Sequence, residues 1–233
     1  MGKTIIQQAR GHGGPAYRTR KKAFRISVSY PKSEGVGYVM ELLNVPCYDA
    51  PVAKIKLNNE IFYNIAAEGM YEGQEIMVGK NAKIAVGNIV PLSAVPIGTE
   101  VYNIETVPGL GGKLVRTSGL AGKVIKKEDK GVYVLLPSKK ERIFHPDARA
   151  TIGVVAAAGR TEKPIVKAGK MFHIAKAIGG RIYPRTSAVK MNVVDHPFGS
   201  GRGKRIKSKI AKRHAPPGAK VGLIRPKRTG RKK

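Results

Sequence analysis

Pro51-Val52-Ala53-Lys54-Ile55-Lys56-Leu57 sets apolar side chains at every second residue, with lysines between them. That spacing is the period of a strand with one face buried and one face wet. Outward from it, Gly37–Leu43 lies on the N-terminal side, and Ile61–Ala66 and Gln74–Val78 on the C-terminal side. All are short runs of Val, Ile and Tyr bounded by Gly, Pro and Asn turns. After Val90-Pro91 a second series follows: Val101–Glu105, Leu114–Arg116, Gly122–Lys126, Val132–Leu136, Arg142–His145 and Ala150–Val155. Many short strands with Gly/Pro turns predict a mainly β protein built from small barrels. Residues 35–160, about 125 in all, are enough for two such barrels with modest cores.

One helix is predicted downstream. Pro164 suits a first-turn position. Ile165, Val166, Met171, Ile174, Ala175 and Ile178 recur at helical spacing, and Gly179-Gly180 makes a stop. His173 within it is a packing or contact residue rather than a metal ligand.

Charge sets the partner class. The chain carries 44 Lys and Arg against 15 Asp and Glu, a formal net charge of +29. Self-repulsion at that charge opposes a compact state unless a polyanion relieves it. The excess is uneven. Residues 1–33 hold eight cations and no acid, residues 34–100 are net negative with four Lys against eight acids, and residues 199–233 hold fourteen cations and no acid. The middle reads as an ordinary folded protein and the two ends as extensions. Few large apolar residues lie past Gly199, so that stretch cannot offset an ordering cost of about 1–2 kcal/mol per residue. Both extensions are expected to take shape on nucleic acid.

Membrane and secretory classes are excluded as expectations. No run of about 18 apolar residues exists. Met1 to Pro15 is polar and Gly-rich, without a signal-peptide core. Ile6 stands where a myristoylation motif needs Ser or Thr. A cytoplasmic address is the default. The single cysteine, Cys47, permits no internal disulfide and no Cys-based zinc site, and it reads as a small packed residue.

Enzyme motifs fail on inspection. Gly112-Lys113 resembles the end of a phosphate-binding loop, but Val107 replaces its first Gly and Leu114 its Ser or Thr. Gly199-Ser200-Gly201-Arg202-Gly203 lacks a strand before it and a helix after it. The five histidines, His12, His145, His173, His196 and His214, lack metal-ligand spacing. Asp195-His196 could be half of a proton-transfer site, yet sequence neighbours rarely hold catalytic geometry and no motif places a nucleophile. Glycines after Phe198, followed by Arg202, Lys204 and Arg205, point to phosphate. His196 there could stack on a base or hydrogen-bond RNA.

These residues carry a resemblance. Met191-Asn192-Val193-Val194-Asp195-His196-Pro197-Phe198-Gly199 is similar to the Met-Asn-Pro-Val-Asp-His-Pro-(His/Phe)-Gly-Gly signature of the large-subunit ribosomal protein L-two family, archaeal/eukaryotic type. Three further stretches fit it: Asn88-Ile89-Val90-Pro91-Leu92, Pro108-Gly109-Leu110-Gly111-Gly112-Lys113, and the tail from Ala215 to Gly222 with Lys227-Arg228-Thr229-Gly230-Arg231. The likeness runs over essentially the whole chain. Two departures stand out: Val193 replaces the signature's Pro, and Ser187-Ala188 stand where an Arg-Gly pair is usual.

The resemblance implies an OB-fold followed by a Src-homology-3-like barrel, with both extensions entering ribosomal RNA. It divides the chain into a basic extension (1–34), the OB-fold (35–88), the second barrel (89–160), a helix and RNA-contacting loop (161–198) and a basic C-terminal extension (199–233). It implies a structural constituent of the large ribosomal subunit near the peptidyl transferase centre, supporting subunit association, tRNA binding and peptide bond formation. Expected partners are large-subunit ribosomal RNA, other ribosomal proteins, and small-subunit RNA at the subunit interface; no membrane and no cofactor is expected. The candidate RNA-binding residues are Arg10, His12, Arg18, Arg20 and Lys21; Gly111, Gly112, Lys113 and Arg116; Asp195, His196, Pro197, Gly199, Gly201, Arg202, Gly203, Lys204 and Arg205; and Lys209, Lys212, Arg213, Arg225, Lys227 and Arg228. No catalytic residue and no metal ligand is assigned. Two rival readings are a basic chromatin or RNA-chaperone protein, which would not need fixed Gly-rich loops at 109–113 and 198–203, and an RNA-processing enzyme, which would need a carboxylate cluster the diluted acids do not form.

Overall fold

The computed structural model describes residues 3–18, 25–178, 182–196 and 198–199. The chain divides into two compact units. One comprises residues 20–170 with 177–179; the other joins the first 19 residues to 171–176 and to the chain from 180 onward.

The first unit is mainly β, as the alternation predicts. Its strands are β1 (Gly35–Leu43), β2 (Val52–Leu57), β3 (Glu60–Ile65), β4 (Glu75–Val78), β5 (Ile89–Pro91), β6 (Glu100–Tyr102), β7 (Ile104–Glu105), β8 (Gly112–Leu114), β9 (Gly122–Glu128), β10 (Gly131–Leu135), β11 (Glu141–Phe144) and β12 (Arg149–Ile152). Ten of them form one sheet in the order β11-β10-β9-β6-β12-β5-β4-β1-β2-β3, and β7 and β8 pair separately. In β2 the side chains of Ala53, Ile55 and Leu57 are buried while Lys54 and Lys56 turn outward. β2 and β3 form a hairpin that closes Leu57 on Glu60, with Asn58 at φ +49° in the turn. β1 bulges between Val39 and Glu41 and pairs with both β2 and β4. The sheet then crosses over through a parallel contact, Val78 to Ile89.

Two apolar clusters fill this unit. The first gathers side chains from β1–β4 with Val28 and Tyr30, and the second those of β6, β7, β9, β10 and β12 with Val90, Leu92 and Val95. Ile89 belongs to one and Val90 to the other, so the change of core falls inside β5. Sequence reading treats Val90-Pro91 as a break between strand series. In the structure it lies within a strand, because Pro91 ends β5 opposite Arg149, where the pairing finishes.

A closed ring of buried hydrogen bonds ties four separate segments together. Asn103 Nδ2 donates to Asn64 Oδ1 (2.8 Å), and Asn64 Nδ2 donates to Thr151 Oγ1 (3.1 Å). The Thr151 hydroxyl meets Tyr30 Oη (2.8 Å), and the Tyr30 hydroxyl donates to the Asn103 carbonyl (2.6 Å). Each group is buried, so each bond replaces water that cannot enter. Burial pushes the Tyr30 and Tyr102 phenols well above the usual tyrosine range.

Three expectations need correction. The basic N-terminal stretch, expected as an extension to residue 34, is already core from Val28 on, because the Tyr30 hydroxyl has two buried hydrogen-bond partners there, the Asn103 carbonyl and the Thr151 hydroxyl. Near its start, Ile6–Gly11 is a short helix (α1), where Gln8 Oε1 accepts the otherwise orphaned N–H of Ile5. The predicted downstream helix forms but begins later, as α2 (Ala168–Ile178). Ile165 and Val166 stay outside it and exposed; adjacent β-branched residues with nothing to pack on gain little from a helical turn. Among the described residues no helix is long and apolar enough to cross a membrane.

Candidate nucleic-acid interface

Of the sequence-predicted site residues, Gly111, Gly112, Lys113 and Arg116 lie in the β unit, on the loop after β7 and on and beyond β8. The loop is shaped by one buried carboxylate. Glu105, fully buried at the end of β7, accepts the N–H groups of Gly109 (3.2 Å) and Gly111 (3.0 Å). It also accepts the backbone N–H of Arg149 (2.9 Å) and that residue's Nη2 (3.0 Å). The Arg149 guanidinium reaches on to the Pro31 carbonyl (2.6 Å) and lies over the Tyr30 ring. The amides at 109 and 111 are therefore engaged inward, and the loop presents side chains to solvent: Val107, Leu110 and Lys113.

Gly112 has a packing role. A Cβ there would run into the Asn103 carbonyl and side chain, so glycine is what allows β8 to approach β7. Arg116 is half-buried over the Tyr48 ring at 5.5 Å, and one of its Nη atoms is buried with no hydrogen-bond partner among the described residues. Sequence reading missed Glu105 and Arg149. A signal existed for Glu105, the only acid between residues 101 and 127, set in an apolar strand just before a Gly-rich loop.

The second unit holds Arg10, His12, Arg18, Asp195, His196 and Gly199. The signature loop folds on itself. The Asn192 carbonyl accepts the N–H groups of Asp195 (3.0 Å) and His196 (3.1 Å), and the His196 carbonyl accepts that of Gly199 (2.8 Å). His196 Nδ1 accepts the Phe198 N–H (3.0 Å), and the two rings meet edge to face at 4.8 Å. His196 is 3% exposed. With Nδ1 occupied as an acceptor, the neutral ring carries its proton on Nε2, so it offers a donor there rather than a base. Gly199 is pressed against the chain: a Cβ would collide with the carbonyls of Met191 and Asn192.

The N-terminal segment meets this loop. The Lys3 N–H donates to the Val194 carbonyl (2.8 Å), and Lys3 Nζ lies 3.3 Å from the Asp195 carboxylate. Arg10 sits in the last turn of α1, His12 follows as its cap, and Arg18 Nε donates to the Gly13 carbonyl (2.7 Å). Arg10 and His196 line one cavity of about 710 Å3 together with Tyr17, Met171, Tyr183 and Arg185. Sequence reading did not single out the last four. Arg20, Lys21, Pro197, Gly201, Arg202, Gly203, Lys204, Arg205, Lys209, Lys212, Arg213, Arg225, Lys227 and Arg228 lie outside the described residues. Among the described residues no group of three or more His, Cys, Asp and Glu could hold a metal ion.

Comparison with known proteins bears on both loops at once. The family model described as Ribosomal Proteins L2, C-terminal domain, matches residues 85–218, which include the 108–113 run and the 191–199 signature. Large ribosomal subunit protein uL2 of Methanococcus maripaludis is 45% identical over 244 aligned positions, covering 100% of both chains. The chain belongs to the ribosomal protein L2 family. The uL2 proteins of Archaeoglobus fulgidus, 45% identical over 99% of each chain, and of Methanothrix thermoacetophila, 44% identical over 100% of each, extend the likeness across the first strands and both termini. The L2 likeness thus spans residues that the structure divides between its two units.

Proposed function

We propose that the chain is a structural constituent of the large ribosomal subunit that binds large-subunit ribosomal RNA near the peptidyl transferase centre. There it supports subunit association, tRNA binding and peptide bond formation, with the chemistry left to RNA. It works in the cytoplasm beside other ribosomal proteins and touches small-subunit RNA at the subunit interface. The carrying observation is the charge distribution: eight cations without an acid in residues 1–33 and fourteen without an acid in 199–233, flanking a stretch, 34–100, that is net negative. A protein with its cations at its two ends and its apolar cores in the middle is suited to hold phosphates with the former and a fixed shape with the latter. We read the two cores as an OB-fold over 35–88 and a Src-homology-3-like barrel over 89–160.

The state of His196 supports a structural part for the signature loop. A buried ring whose Nδ1 caps the Phe198 amide is committed to holding the loop's shape. Binding of the full chain to large-subunit RNA, measured as a function of salt, tests the proposal. If about eight cations meet phosphate, log affinity falls against log salt with a slope on the order of −6. A slope near zero, or absence of the chain from purified large subunits, overturns the reading.

A further inference from the structure

Nothing in the fold or the signature says what the cavity of the terminal unit is for. Its volume, about 710 Å3, falls among small-ligand sites, which run from about 300 to 1,000 Å3. Its lining mixes two chemistries. Arg10 and Arg185 supply guanidinium groups, and among the described residues no acid lines the cavity to neutralise them. Met171 supplies apolar wall, and Tyr17, Tyr183 and His196 supply flat rings. Free phosphate would use the arginines and leave the apolar wall and rings idle. A plain apolar ligand would leave two cations uncompensated beside it.

We propose that this cavity takes in one unstacked nucleotide of the RNA, its base against the rings and Met171 and its phosphate on Arg10 and Arg185. The inference rests on the RNA-binding reading above and names the ligand of one site within it. Sequence-specific RNA contacts favour bases splayed out of the helix and stacked on aromatic rings or guanidinium planes. His196 fits this use: with Nδ1 accepting the Phe198 amide, the neutral ring carries its proton on Nε2, which can donate to an acceptor on the base edge. The chain's own C-terminal stretch is the wrong occupant, since residues 199–233 carry fourteen cations and no acid and would be repelled by the two arginines.

The test fills the cavity from its rim. Ala188 and Thr186 both line it; Ala188 is half-buried and Thr186 exposed, so T186W keeps the experiment alive should A188W fail to fold. Full-length wild type, A188W and T186W are bound to large-subunit RNA. Affinity is measured across salt, and base reactivity is mapped at nucleotide resolution. The expected result is one single-stranded base whose Watson–Crick edge is protected by wild type and freed by both tryptophans. Affinity should fall at least tenfold, one stacked base's share, and the salt slope should become shallower by about one as the displaced phosphate is lost from Arg10 and Arg185. Retained binding with a footprint indifferent to both tryptophans overturns the pocket assignment alone. Stabilisation of the protein by free nucleoside monophosphates with no tryptophan-sensitive base in the RNA overturns the RNA source. Absence of salt-dependent RNA binding by the wild type overturns the parent reading and this one with it.

Discussion

Glu105→Ala is the perturbation that the structure makes most consequential in the β unit. The carboxylate is fully buried and holds Gly109, Gly111 and Arg149 at once. Removing one member of a buried charge pair costs about 3–5 kcal/mol, because the other charge stays behind uncompensated. The lower half of that range fits Arg149, whose side chain keeps 18% exposure and whose Nη1 stays bonded to the Pro31 carbonyl. The Gly109 amide can turn to water, but Gly111 is buried, and stranding its N–H adds about 1–3 kcal/mol. For a unit near 150 residues each kcal/mol moves the midpoint by about 2–4 °C, so a loss of about 4–7 kcal/mol in E105A should lower Tm by roughly 8–28 °C. Glu105→Gln keeps the volume and one acceptor and should cost about half as much. E105A/R149M removes the stranded cation and should recover part of the loss, leaving the Gly111 amide as the remainder. Thermal unfolding followed by circular dichroism reads all three. An E105A protein that melts within 2 °C of wild type in one cooperative step would refute the claim that this carboxylate organises the loop.

Gly112→Ala drives a Cβ into Asn103 and should destabilise by about 1–3 kcal/mol in denaturant unfolding, while the salt slope of RNA binding stays unchanged. Tyr30 and Tyr102, both pushed up by burial, should be the last of the nine tyrosines to ionise in an absorbance titration, doing so only as the protein unfolds. Their folded pKa values exceed the unfolded value near 10, so the stability they contribute is fully present below about pH 10 and is lost progressively as pH rises from there toward the folded values. Tyr30→Phe breaks the ring of hydrogen bonds and should cost about 1–3 kcal/mol at neutral pH. At the signature loop, Gly199→Ala should harm incorporation into large subunits more than His196→Gln, because the first collides with two carbonyls and the second loses one hydrogen bond and a ring contact. Normal peptide bond formation in assembled H196Q particles is expected; loss of that chemical step by orders of magnitude, with harmless G199A, would restore a catalytic role to the histidine.

Much of this protein could be read before any coordinates. Alternation at Ala53, Ile55 and Leu57 and the Gly/Pro spacing located most of the strands, because a strand's face is a local property with period two. Cations without acids at both ends named the partner class, because net charge acts at a distance whatever the fold. Gly112 and Gly199 stood out in the sequence as candidate RNA contacts, but their packing against Asn103 and against the Met191 and Asn192 carbonyls is visible only in the fold. Tertiary structure alone decided the rest. Tyr30, Asn64, Asn103 and Thr151 are ordinary polar residues in four separate stretches, and only the folded sheet brings them into one ring. Glu105 meets Arg149 from 44 residues away, and its role follows from burial that no local pattern encodes. Tyr17, Met171 and Arg185 line one cavity from three distant segments. Local sequence specifies which face a side chain takes; which partner waits there is fixed by long-range packing, where a buried polar group has to find its bond or pay for lacking one.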